Sequence, residues 1–80
     1  MDLRNLFATN LRRLRHDKGI AQDDLAYEAD MSRSYLSQLE KGEFYASIRI
    51  IGRLAEVLKV DPMEFLRPTG KSKAPRKSIK

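Results

Sequence analysis

QDDLAYEADMSRSYLSQLEKG, residues 22–42, is the stretch whose reading decides the fold of this chain. Its apolar residues fall into two short helical sets: Leu25, Ala26 and Ala29 in Gln22 to Ala29, then Leu36 and Leu39 in Arg33 to Glu40. Asp23 and Asp24 suit the positive end of the first helix. Ser32 is an N-cap for the second, and Lys41-Gly42 supplies its C-terminal stop. Between them Asp30 stands where the chain needs a left-handed backbone, which Asp tolerates better than most non-glycine residues. Ala26 is small where two helices cross closely. Two short helices joined by a tight turn are thus predicted, with the layout of a helix-turn-helix.

The flanks extend the same pattern. Upstream, Leu3, Leu6, Phe7, Leu11 and Leu14 recur at helical spacing from Asp2 to Lys18, and Gly19 ends the run. Downstream, Glu43 to Ala46 reads as a loop, and Ser47 caps a fourth helix carrying Ile48, Ile51, Leu54, Ala55 and Leu58. Gly52 inside it costs about 1 kcal/mol relative to Ala. Asp61-Pro62 opens a short fifth helix ending at Leu66, with Met63 or Phe65 and Leu66 facing inward. No strand pattern occurs. The expected fold is all-α, a compact five-helix bundle over residues 1–66 followed by a disordered basic tail, 67–80.

Composition narrows the function. A chain of 80 residues holds one domain, and without Cys it has no disulfide, thiolate nucleophile or Cys-containing zinc site. The single His16 near a helix C-terminus reads as a mildly favoured cation, and Asp23 with Asp24 as helix-start charges without a base or metal partner. Enzymatic chemistry, a cofactor and a metal site are therefore not expected. No apolar run is long enough for a membrane span or signal-peptide core, so an intracellular protein is predicted. The net charge of +5 is unevenly placed: Arg67, Lys71, Lys73, Arg76, Lys77 and Lys80 stand in a tail without acids, leaving the body near neutrality. Such a tail can be a solvated end or add phosphate contacts, but sequence specificity has to come from the body.

Residues 5–66 resemble the XRE/Cro-like helix-turn-helix family of phage repressors and related bacterial regulators. The resemblance rests on RRLRHDKGIAQDDLAYEADMSRSYLSQLEKG and SIRIIGRLAEVLKVDPMEFL, in which the Arg-x-x-x-Gly element, the QDDLA helix start, the LSQLEKG helix end and the LAxxLxV segment follow one another at family spacing. Within the family, SRSYLSQLE is most similar to the recognition helices of restriction-modification controller proteins. The resemblance implies a cytoplasmic, nucleoid-bound transcriptional regulator that binds duplex DNA as a homodimer, generally a repressor on a palindromic operator.

Site roles carry over position by position. Ser32, Arg33, Ser34, Ser37 and Gln38 match base-reading positions; Arg33 is chemically suited to the O6 and N7 of guanine, and Gln38 to the N6 and N7 of adenine. Gln22 matches a phosphate clamp, and Lys41 and the Gly42 backbone face phosphate. Tyr35 is either a phosphate or thymine-methyl contact or a half-buried packing residue. Arg15 and Glu40 match a structural ion pair. Phe44 and Tyr45 read as core or interface residues. The apolar supply of the last two helices, Ile50, Leu54, Val57, Val60, Met63 and Phe65, is expected to exceed the needs of the core and to build the dimer interface. No small-molecule ligand is evident.

Three departures from the family pattern bear on the site. Ala21 stands where Ser or Thr commonly caps the second helix, Ala46 replaces a frequent Pro, and acidic Glu43 lies where basic residues often meet the DNA backbone. Two rival functions remain open at this level: an antitoxin or adaptor that uses the fold to hold a protein, favoured by the near-neutral body, and nonspecific nucleic-acid binding through the tail.

Overall fold

The computed structural model describes residues 2–69. Among them are four α-helices, α1 (Leu3–Lys18), α2 (Gln22–Glu28), α3 (Arg33–Glu40) and α4 (Ile48–Leu58), and one 3-10 helix, η1 (Pro62–Leu66). Side-chain oxygens open most of them: Asp2 accepts from the Arg4 N–H, Ser32 from Tyr35, Ser47 from Ile50 and Asp61 from Met63. Only α2 lacks such a bond, because Ala21 occupies its N-cap and only the charges of Asp23 and Asp24 favour the helix start.

All four α-helices close in the same way. A left-handed residue follows each one, Gly19, Asp30, Gly42 or Lys59, with φ between 58° and 77°. The next N–H then reaches five residues back, Ile20 to the Arg15 carbonyl, Met31 to Ala26, Glu43 to Gln38 and Val60 to Ala55. Asp30 therefore takes the left-handed conformation expected of it. Lys59 does so without any local signal, because a long side chain has no chemical preference for that region.

The predicted fifth α-helix is instead a single 3-10 segment. Pro62 opens it, it spans only five residues, and Arg67 before Pro68 is driven to extended backbone, so no second turn can propagate. The predicted end of the second helix also moves back, with Ala29 serving as C-cap rather than a helical residue.

Phe7, Leu11 and Leu14 of α1, Leu25 and Ala26 of α2 with its C-cap Ala29, Leu36 and Leu39 of α3, Leu54, Ala55 and Leu58 of α4, and Phe65 of η1 form one core. Each large side chain buried here stabilises the fold by about 1.5–3 kcal/mol before entropy is counted. Phe7 and Phe65 meet with ring centroids 5.3 Å apart. Two residues expected in the dimer interface are thereby corrected: Leu54 and Phe65 are wholly buried within their own chain and offer no surface to another. Val57 and Val60 are half-buried against the core, as is Ile50, while Met63 is 76% exposed.

Asn10 is buried within the apolar stripe of α1. Its Nδ2 donates to the Phe65 carbonyl at 3.0 Å and the Arg67 carbonyl at 2.8 Å, and its Oδ1 accepts from Arg13. It thus satisfies two carbonyls that η1 leaves open, and fastens the chain through Arg67. Glu64 strengthens the same junction by pairing with Arg67 and Arg13. The Arg67 guanidinium, hydrogen-bonded to its carboxyl, holds Glu64 below the usual glutamate range. The predicted basic tail beyond Thr69 lies outside the described residues.

Candidate nucleic-acid interface

Leu25, Ala26 and Leu36 pack α2 against α3, and the left-handed turn at Asp30 fixes the angle at which they meet. Arg53 of α4 donates to the Asp30 carbonyl at 3.4 Å, so the turn is also held from outside. With Leu36, Leu39 and Glu40 turned inward, the other side of α3 faces solvent. Ser32, Arg33 and Ser34 are exposed at its start, and Ser37 and Gln38 lie half-exposed one turn on. The five residues expected to read bases thus share one accessible region, although the Ser32 hydroxyl already accepts the Tyr35 N–H.

Tyr35 is half-buried and stacks on Phe44 across 6.0 Å. Phe44 and Tyr45 do not enter the core: Phe44 covers Tyr35, and the Arg4 guanidinium lies 4.9 Å over the Tyr45 ring. Lys41 is exposed directly after α3. Gly42 has φ +77°, a backbone conformation that other residues rarely adopt, and a Cβ there would stand 2.6 Å from Asn5 Oδ1, so a side chain would strain the turn and force the Asn5 amide to swing away.

Beneath this surface lies a polar network. Arg15 grips Glu40 with two bonds, Nε to Oε2 at 2.6 Å and Nη2 to Oε1 at 3.1 Å. The pair is largely buried, with 14% of the Arg15 side chain and 6% of Glu40 exposed. Arg12 also donates to the Glu40 carbonyl, and Arg15 to that of Ile20. Gln22 Nε2 donates to Glu40 Oε1 at 3.1 Å, while its Oε1 accepts from Arg33 Nε at 3.3 Å. That same Arg33 Nε lies 2.9 Å from Asp23 Oδ1. The network joins α1, α2 and α3 and ends on the side chain best suited to guanine.

The structure therefore brings Arg15 and Glu40 together and sets Gln22 beside Arg33. Sequence reasoning missed four contributors: Asn10, Arg12, Arg53 and the contact of Asp23 with Arg33. Asn10 carried a usable signal, an amide set between Phe7, Leu11 and Leu14 on an otherwise apolar stripe. The contacts of Arg12, Arg53 and Asp23 depend on helix crossings that no local pattern reports.

Among the described residues no cluster of His, Asp or Glu has the makings of a metal site, and no helix is long and apolar enough to cross a membrane. An open apolar groove of about 370 Å³ lies between the start of α1 and the end of η1, lined by Leu3, Leu6, Leu66 and Pro68 among others. No α3 residue lines it.

The family model described as a helix-turn-helix domain matches residues 6–67. The chain belongs to the helix-turn-helix family. An HTH-type transcriptional regulator of Sinorhizobium fredii, y4dJ, is 36% identical over 69 residues, covering 86% of this chain and 90% of the relative. The control protein C.BamHI of Bacillus amyloliquefaciens is 33% identical over 66 residues, covering 81% of this chain and 82% of the relative. Among solved structures, the restriction-modification controller protein C.AhdI of Aeromonas hydrophila superposes with a TM-score of 0.75 at 35% identity, covering 78% of this chain and 94% of that one. These matches bear out the resemblance to XRE-type helix-turn-helix regulators. The protein is accordingly a DNA-binding helix-turn-helix regulator of the controller type, not an enzyme.

Proposed function

We propose that this helix-turn-helix protein is a sequence-specific transcriptional repressor that lays α3 in the major groove of a palindromic operator as a homodimer. The observation that carries the reading is the start of α3. Arg33 stands there in solvent, its Nε engaged by Asp23 and Gln22, while Nη1 and Nη2 make no hydrogen bond among the described residues. Those two nitrogens form the planar pair of donors that matches the O6 and N7 of a guanine. Ser34, Ser37 and Gln38 supply shorter-range donors and acceptors along the same surface.

Gln22 and Lys41 flank the recognition surface at the start of α2 and the end of α3, which suits phosphate contacts on either side of a groove. The remaining Gln22 N–H and the half-buried Tyr35 hydroxyl are further candidates. Repression then follows from occupancy, since a bound dimer excludes polymerase. One recognition helix reads only a few base pairs, so a second copy about 34 Å away on the next major groove is needed for useful specificity. With Leu54 and Phe65 committed to the core, Val57, Val60 and Met63 are the apolar residues left to form the dimer contact, with Ile50 beside them.

Affinity measurements on a selected duplex and a scrambled one test the proposal. Arg33→Ala should lose about 1–3 kcal/mol on the selected duplex and relax preference at a guanine position. Equal losses on both duplexes would remove Arg33 from base reading. Binding should also fall with salt, with a log–log slope of about −0.9 for every phosphate neutralised, whereas a protein-holding adaptor would show no such dependence.

A further inference from the structure

Asp23 is the element of the network that DNA reading does not need. An acid at the edge of a surface meant for polyphosphate is unfavourable, and its 2.9 Å contact with Arg33 ties up the cation with most to offer DNA. Both side chains are 67% exposed, so the contact can open. The geometry points to Asp23 as a specificity-determining residue, an assignment that rests on the DNA-reading function proposed above. Asp23 meets Arg33 at Nε, and no hydrogen bond among the described residues engages Nη1 or Nη2. A guanine can accept from those two nitrogens without breaking the ion pair. A phosphate in random DNA that draws the guanidinium away leaves the Asp23 carboxylate unpaired and facing negative charge. Asp23 thus lowers nonspecific binding more than cognate binding. The near-neutral body fits this role, since no large positive field masks one local acid.

Asp24 provides an internal control. It lies in the same first turn of α2 and is also exposed, but it makes no contact with Arg33. Both acids affect the start of α2 alike, so Asp24→Asn reproduces any loss of helix-start charge without touching the pair.

The test compares the wild type, Asp23→Asn and Asp24→Asn on two duplexes of equal length, one selected from a random pool and one scrambled, with circular dichroism to verify folding. For Asp23→Asn, scrambled duplex should bind about two- to fivefold more tightly, the range set by a single exposed ion pair, while the selected duplex gains less and the specificity ratio falls. Asp24→Asn should leave the ratio at its wild-type value. An Asp23→Asn ratio equal to wild type, or an equal fall in both variants, overturns this inference while leaving DNA reading intact. A wild type that binds both duplexes equally overturns the DNA reading and this inference with it.

Discussion

Glu40 has only 6% of its side chain in solvent, yet it must remain compensated for α3 to keep its place. Arg15 provides two charge-assisted bonds from α1 and Gln22 a third from α2. Removing one partner from such a pair leaves a charge with neither water nor a counter-ion. Arg15→Ala should therefore lower unfolding free energy by about 3 kcal/mol in urea denaturation. Arg15→Lys should recover only part of that loss, because a single ammonium cannot reproduce the two-pronged grip. A loss within about 0.5 kcal/mol would mean that the Arg15–Glu40 pair does not hold α3 in place. The chemistry of this pair was open to sequence reading because both residues belong to a spaced family pattern. The Asp23–Arg33 contact was not, since each residue has an adequate local explanation and only the crossing of α2 and α3 brings them together.

The elements are specified locally to different degrees. α1 and α3 combine an apolar stripe, a side-chain cap and a glycine terminator, and their limits follow from sequence, whereas α4 has the stripe and the cap but ends at a left-handed Lys59 that no local pattern announces. η1 has a cap and a Pro but too few residues to choose between helix types, and tertiary bonds from Asn10 decide its end. Its electrostatics give a prediction in pH. Arg67, through its hydrogen bond, and Arg13 hold the Glu64 carboxyl below the ordinary glutamate value of 4.5. A group lowered on folding contributes stability above its unfolded value, and that contribution disappears as pH falls through the folded one. The Glu64 carboxylate should titrate below 4.5 in an NMR pH series. Glu64→Gln should flatten the loss of stability between pH 5 and the acid limit, and a Glu64 inflection at or above the ordinary value would separate η1 from this ion pair.

At the scale of the whole molecule, one core of side chains from all five elements fixes a surface in which α3 is presented and α1 braces it from behind. That arrangement was legible because apolar spacing reports burial. The division of the last apolar residues was not, since Leu54 and Phe65 have the same character as an interface residue and only packing shows that the core consumes them. The central claim is that two copies of this surface read one DNA site. Selection of bound sites from a random duplex pool at about 150 mM salt tests it most directly, because phosphate attraction is then weakened relative to base reading. The account predicts a motif with two-fold symmetry, a guanine in each half and half-site centres about one helical turn apart. A pool that emerges without an enriched motif would contradict it.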